Sequence, residues 1–350
     1  MRKGKRLIAW IMAVVMLFTI CVFGGNGTAE AAATTPVAKH GRLSVKGADL
    51  VDSKGNKFQL RGISTHGINW DVGSPYVNKK AFKTLRDDWG VNAIRLAMYT
   101  EEYNGYCSGG SQAKLRKLVD KGVGYATDLG MYAIIDWHIL SDGNPNKNKS
   151  QAKKFFTTMA KKYKNNKNVI YEICNEPNGC SWKEIKSYAT DIIKTIRKYD
   201  KKAVIIVGTP TWSQLGTSNE VADSPIKGYK NIMYSLHFYA SEWAHNEYLP
   251  AKVAYARKKK LPIIVSEFGL SPASGDGAIN KASADKWMKL LNKYNISYFC
   301  WSLSNKNESA SLLKPSTKKT SGWKSGDLST AGKYIKKKYL ARKKALGKKA

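Results

Sequence analysis

Eight short apolar runs of strand character recur along this 350-residue chain, at residues 59–66, 93–99, 132–140, 169–176, 203–209, 232–239, 262–269 and 298–304. Between them lie segments such as AFKTLRDDWG, AKLRKLVDKGVGYATDLG, AKKFFTTMAKKY, WKEIKSYATDIIKTIRKYD and SADKWMKLLNKY. Their apolar residues fall three and four apart, the spacing of one helix face. Strands separated by helices pair in parallel, because only antiparallel neighbours can be joined by a tight turn. Eight such units predict an α/β fold of the closed (β/α)8 type, a TIM barrel. A doubly wound open sheet is the alternative, but no Gly-rich phosphate loop follows the first run. The segment LSVKGADLVDSKGNKFQL alternates around Ser53-Lys54-Gly55-Asn56 and predicts an N-terminal β-hairpin capping the bottom of the barrel.

The chain ends differ in kind. Arg2, Lys3, Lys5 and Arg6 precede LIAWIMAVVMLFTICVF, and TAEAAA then offers small residues for cleavage. Residues 1–33 are therefore expected to be a secretory signal, with an uncleaved anchor as the rival reading, since the apolar run approaches the roughly 18 residues of a spanning helix. One catalytic domain is expected over 34–340, followed by a Lys-rich tail at 341–350, and the mature protein is expected outside the cell. Of the remaining cysteines, Cys174 and Cys300 sit in apolar strands and read as buried thiols, whereas Cys107 and Cys180 lie in Gly-rich loops. If a disulfide forms, Cys107 with Cys180 is the expected pair. No cysteine pair has zinc-ligand spacing, so no metal is expected.

The formal net charge of +33 raises a nucleic-acid reading. The lysines are spread along the whole chain, no helix-turn-helix or zinc-finger pattern occurs, and a secreted protein does not meet the genome. Solubilising surface lysines are the plainer account. The tail is weighed separately as a weak contact to an anionic cell wall, and a monomer is expected.

In a barrel of this kind, chemistry gathers at the C-terminal strand ends. Those ends carry His66 and Trp70, then Arg95 and Tyr99, His138, Asn175 and Glu176, Trp212, His237 and Tyr239, Glu267 and finally Trp301. A lone strand histidine is more often structural, but three of the five histidines fall at these ends. Side-chain alternation puts Arg95 with Tyr99, and His237 with Tyr239, on one face each. Glu172, four before Glu176, reads as an ion-pair partner of Arg95 lower in the barrel. Glu176 and Glu267 are the two carboxyls that glycoside hydrolysis requires, one as acid and one as nucleophile. The acid needs its pKa raised by burial, and the nucleophile must stay ionised. Two long side chains reaching across the barrel mouth can close to the retaining separation of about 5 to 5.5 Å.

The stretches RGISTHG, AIRLAMYT, IIDWHIL, VIYEICNEPNG, LHFYA, VSEFG and WSLSNKNES resemble, in this order, glycoside hydrolase family 5, and within it the bacterial endo-β-1,4-glucanases. The resemblance extends over residues 41–334. It implies Glu176 as acid/base and Glu267 as nucleophile, with Arg95, His138, Asn175, His237, Tyr239 and Trp301 lining the cleavage site. It also implies His66, Trp70, Tyr99, Trp212, Lys306 and Glu308 as further sugar contacts, a β-1,4-glucan substrate and no cofactor. The same barrel serves mannan, xylan, xyloglucan or mixed-linkage glucan, because fold does not fix substrate. A non-catalytic carbohydrate-binding protein is the reading from another class, and the presence of both glutamates speaks against it.

Overall fold

The computed structural model describes residues 34–347, so the expected signal and the last three residues of the tail lie outside the described residues. A short helix α1 (Pro36–His40) leads into a two-stranded antiparallel ribbon, β1 (Ser44–Lys46) and β2 (Asp49–Val51). There follow β3 (Arg61–Thr65), α2 (Lys79–Trp89), β4 (Ala93–Tyr99), α3 (Gln112–Asp128), β5 (Tyr132–His138), α4 (Lys149–Tyr163), β6 (Val169–Glu172) and α5 (Trp182–Arg197). Then come β7 (Ile205–Val207), the four-residue turn α6 (Pro210–Ser213), α7 (Glu220–Asp223), β8 (Ile232–Tyr239), α8 (Trp243–Lys258), β9 (Ile263–Gly269), α9 (Lys281–Lys293), β10 (Tyr298–Leu303) and α10 (Thr330–Gly347). Strands β3 to β10 are parallel and close in sequence order, β10 pairing back onto β3, which is the expected TIM barrel. Among the described residues, no helix is long and apolar enough to cross a membrane.

Helix starts follow local chemistry. The side chains of Asn78, Ser111, Ser181 and Asn280 each accept a backbone N–H two or three residues into the helix that follows, satisfying donors that have no intrahelical partner. At Ser181 the bond is reciprocal, because the Glu184 carboxylate accepts the Ser181 N–H in turn.

Alternation along the strands sorts side chains into two cores. Outward residues such as Ile94, Leu96, Ile135, Tyr171 and Phe268 pack under the helices. Inward residues at the lower ends, Ala93, Tyr132, Ile134, Ile170, Val204, Ile206, Met233, Ile264 and Phe299, form a separate plug. Leu43, Leu50 and Phe58 from the N-terminal ribbon close it from below, as the sequence predicts. The turn differs from the expected one: the ladder pairs Lys46 with Asp49, so the chain reverses at Gly47 and Ala48. Ser53 to Asn56 form a second turn, bounded by the single bridge from Val51 to Lys57. Two carbonyl-side contacts explain it, since the Asp52 carboxylate accepts the N–H groups of Lys54 and Asn56.

Two irregularities aim the upper side chains. Strand β6 ends at Glu172, four residues short of the expected end, and Ile173 and Cys174 both enter the outer core. Asn175 and Glu176 therefore turn inward from irregular backbone and not by strand alternation. In β9, Ile264 lies opposite Ser235 while Glu267 lies opposite His237, so one extra residue is accommodated between them. This bulge lets Ser266 and Glu267 both face the barrel axis, which strict alternation forbids.

Two further features bear on the sequence expectations. Cys107 and Cys180 are free thiols, as are Cys174 and Cys300; Cys107 and Cys180 are each partly buried against the helix-side core, and burial pushes their thiols up to about 12 and about 11. The boundary expected at residue 340 falls inside α10, where Arg342 Nε donates to Gln59 Oε1 at 2.8 Å.

Because Phe58 seals the lower plug, Phe58→Ala should destabilise the protein by about 3 to 5 kcal/mol. The checking measurement is a urea titration, in which the midpoint should fall while the slope stays unchanged.

Candidate active site

Above the apolar plug the barrel interior becomes ionic. Arg95 is fully buried at its centre. Its Nε donates to Glu172 at 2.7 Å, Nη1 to Glu267 at 2.9 Å, and Nη2 to the Asn175 side-chain oxygen at 2.6 Å, with Asp136 at 3.1 Å from Nη2. The expected pairing of Arg95 with Glu172 is thus present. Four acceptors around one planar fork use the geometry that distinguishes arginine from lysine.

Above this layer opens a cavity of about 570 Å³, lined by His66, Trp70, Tyr99, His138, Glu176, Trp212, His237, Tyr239, Glu267, Trp301, Lys306 and Glu308. Arg95 and Asn175, expected among the lining residues, lie beneath it and act on the groups that line it. Glu102, Leu140, Gln214, His245, Ala273, Ser274 and Gly275 also line the cavity, and the sequence reading did not single them out. Glu102 had a legible signal, since it follows closely on the Tyr99 strand end; the 273–275 loop had none.

The two glutamates occupy unlike surroundings. Glu267 accepts from Arg95 on one oxygen and from the Tyr239 hydroxyl, at 2.7 Å, on the other. Glu176 has no cation in contact; its Oε1 lies 2.8 Å from Nδ1 of His237. Burial pushes the Glu176 carboxyl up to about 8; Arg95 partly offsets this, and the carboxylates of Asp136 and Glu172 add to it. Ligand-type atoms of Glu176, His237 and Glu267 lie within 4.8 Å of one another. Both nitrogens of His237 and both oxygens of Glu267 already hold hydrogen bonds to protein groups.

Neighbouring histidines are neutral and oriented. Burial takes His237 down to about 4 and His138 down to about 3. Nδ1 of His138 sits 2.6 Å from Asp136, and Nε2 faces the Asn175 side-chain nitrogen at 3.1 Å. The proton therefore resides on Nδ1, and Nε2 accepts from Asn175. For His237, a proton on Nδ1 donates to Glu176 Oε1 and leaves Glu176 Oε2 to carry its own proton, while Nε2 accepts from Ser266 at 2.9 Å.

Aromatic rings wall the rest. Tyr99 lies 4.5 Å from Trp70 and 4.1 Å from His138, centroid to centroid, and Trp301 stacks on His138 at 5.3 Å. Trp212 stands apart, 47% exposed. Lys306 Nζ lies 2.5 Å from Glu308 Oε2. Glu308 Oε1 is buried without a hydrogen-bond partner, since His66 Nε2 lies at 3.8 Å.

A TIM barrel whose mouth holds two facing carboxyls in unlike surroundings defines a glycoside hydrolase. Residues 51–307 match the family model for cellulase (glycosyl hydrolase family 5), and the chain belongs to that family. An endoglucanase from Clostridium saccharobutylicum is 47% identical over 338 residues, covering 95% of this chain and 72% of that protein. Endoglucanase A of Butyrivibrio fibrisolvens is 44% identical over 300 residues, covering 85% and 68%. Among solved structures, the catalytic domain of a Thermobifida fusca endoglucanase superposes with a TM-score of 0.81 at 37% identity, covering 87% of this chain and 99% of that one.

The weakened acidity of Glu176 carries a stability consequence. The unfolded chain releases this proton above about 4.5, while the folded protein keeps it to about 8, so stability falls as pH rises through that window. Glu176→Gln, which cannot ionise, should leave the thermal midpoint unchanged near pH 4 and raise it near pH 8. A thermal-shift series across this range checks it, and a midpoint difference independent of pH would contradict the assignment.

Proposed function

We propose that the chain is a secreted endo-β-1,4-glucanase that cleaves internal bonds of cellulose-type glucans with retention of configuration. The observation that carries the chemistry is the short gap between the carboxyls of Glu176 and Glu267, at or below 4.8 Å between oxygens. Retaining enzymes use a separation of about 5 to 5.5 Å, whereas inverting ones need roughly 6.5 to 9.5 Å to admit a water. A gap this short favours the retaining arrangement.

The unequal surroundings assign the roles. Glu267, held between Arg95 and Tyr239, attacks the anomeric carbon and forms a glycosyl ester as the bond to the leaving oxygen breaks. Glu176, neutral at the operating pH, passes its proton to that oxygen. The resulting Glu176 carboxylate then takes a proton from the water that attacks the ester, so both groups return to their starting states. Trp70, Trp212 and Trp301 offer apolar faces to pyranose rings, and the unpartnered oxygen of Glu308, with Lys306 beside it, can accept a sugar hydroxyl. A β-1,4-glucan substrate is supported by the names of the relatives, and secretion rests on the composition of residues 1–33.

Hydrolysis followed by proton NMR should show the β-anomer first; initial release of the α-anomer would overturn double displacement. Glu267→Ala should lose turnover by at least on the order of a hundredfold while staying folded. The alkaline limb of kcat/KM should fall near pH 8, where Glu176 loses its proton. Among carboxymethylcellulose, mixed-linkage glucan, mannan and xylan, a clear preference for mannan or xylan would refute the substrate assignment.

A further inference from the structure

Glu176 stands where no ladder supports it. β6 has ended at Glu172, and the Glu176 N–H reaches only the Ile139 carbonyl, at 3.3 Å. The two carbonyls that bracket Glu176 are nevertheless both held, and both by the turn that follows β7. Ser213 Oγ donates to the Asn175 carbonyl at 2.6 Å, and the Trp212 N–H donates to the Pro177 carbonyl at 3.0 Å.

That turn is unusual in backbone. Thr211, Trp212 and Ser213 have φ of 61°, 50° and 57°, three consecutive left-handed residues without a glycine. Such conformations persist only where surroundings over-determine them. Here Ser213 N donates to the Thr209 carbonyl at 3.0 Å, Thr209 N donates to Ser213 Oγ at 3.2 Å, and Leu215 N donates to Thr209 Oγ1 at 2.9 Å. Contact with the Glu176 segment is direct, since a Cβ on Gly208 would lie 2.3 Å from the Cys174 carbonyl and 2.7 Å from the Pro177 ring. Ser213 itself is fully buried, so its hydroxyl has no solvent to bond in place of Thr209 and Asn175. The rest of the barrel explains none of this, because a Gly-containing turn would connect β7 to α7 without strain.

Building on the acid/base role proposed for Glu176, we propose that Ser213 is a positioning residue for that carboxyl, acting through the Asn175 carbonyl. Its hydroxyl is the one side-chain group that joins the strained turn to the Glu176 segment. Without it, the Asn175 carbonyl and the Thr209 N–H lose their partners in a buried place, and residues 175–177 relax away from the turn. Displacement of a reacting group by about 1 Å costs on the order of a hundredfold in rate. The loss falls mainly on proton donation, because Glu267 is also held from the other side by Arg95 and Tyr239.

Two substrates separate positioning from general damage. Cellopentaose has a sugar leaving group that needs the acid proton. 2,4-Dinitrophenyl β-cellobioside has a leaving group acidic enough to depart without it, and kcat/KM reports the bond-breaking step for both. Two variants remove the hydroxyl: Ser213→Ala keeps a Cβ, and Ser213→Gly adopts the left-handed backbone freely, so the turn survives in at least one. For the folded variants, kcat/KM on cellopentaose should fall about 10- to 100-fold, while that on the dinitrophenyl substrate should stay within about threefold. Equal losses on both substrates, or no loss on either, would overturn the proposal. Glu176→Ala measured in parallel keeps the two readings apart. If it fails to discriminate between the substrates, the acid/base assignment is wrong; if it discriminates and the Ser213 variants do not, only the positioning role falls.

Discussion

One guanidinium organises the upper half of this barrel. Arg95 is fully buried and its donors reach Glu172, Glu267 and Asn175, with Asp136 also within ion-pair distance. Three buried carboxyls face one cation, and desolvating each ion costs several kcal/mol. They cannot all be fully ionised. Burial pushes Asp136 up to about 7 and raises Glu172, each only partly offset by Arg95. Glu267 is the carboxyl that also receives the Tyr239 hydroxyl, so negative charge is best accommodated there. The fold thereby gives Glu267 a donor on each oxygen, the guanidinium from within the barrel and the Tyr239 hydroxyl from the cavity wall.

The same layer sets hydrogen-bond direction. Because His138 is neutral, its single proton must lie on one nitrogen, and Asp136 fixes it on Nδ1. Nε2 then accepts from the Asn175 amide, whose oxygen accepts from Arg95. A chain of donors and acceptors thus runs Asp136, His138, Asn175, Arg95, each link determined by the one before it. The residue after Asn175 is Glu176, so the backbone that carries the proposed acid is tied to this chain of hydrogen bonds. One atom stays unreconciled: Asp136 Oδ1 is buried with no hydrogen-bond partner, a cost that falls less heavily on a carboxyl partly protonated than on a full anion.

Much of this was legible in the sequence, for physical reasons that also mark its limits. Eight apolar runs at regular spacing can close only as a parallel barrel, and the strand-end rule then gathered His66, Tyr99, His138, His237, Tyr239 and Trp301 without any contact information. Lys306 and Glu308 lie in irregular backbone after β10, where no periodicity exists, so only the family resemblance reached them. Depth was invisible: period-two alternation tells inward from outward but not lining from buried, and Arg95 and Asn175 came out beneath the cavity. The bulge in β9 was equally hidden, because Ser266 and Glu267 look like ordinary alternating neighbours. Helix α8 escaped notice because Pro250 interrupts it and its apolar residues form no continuous face.

Several places where local rules fail coincide with the places where chemistry is proposed. Glu176 is kept neutral against its ordinary preference, the β9 ladder gives up a regular pair, and three residues beside Glu176 take left-handed backbone at roughly 1 to 2 kcal/mol each. None of these helps the chain to fold. They persist because the closed ladder, the apolar plug under β3 to β10 and the capped outer helices stabilise the fold independently of the mouth. Strain at the top therefore does not propagate into strand register, and the two ends of the barrel can be selected for different properties. The lower end favours tight apolar packing; the upper end tolerates unfavourable conformations in exchange for two carboxyls in unlike surroundings within 4.8 Å. A barrel is suited to this separation because most of its strands contribute a residue to the plug below while their upper ends and the loops beyond them build the mouth.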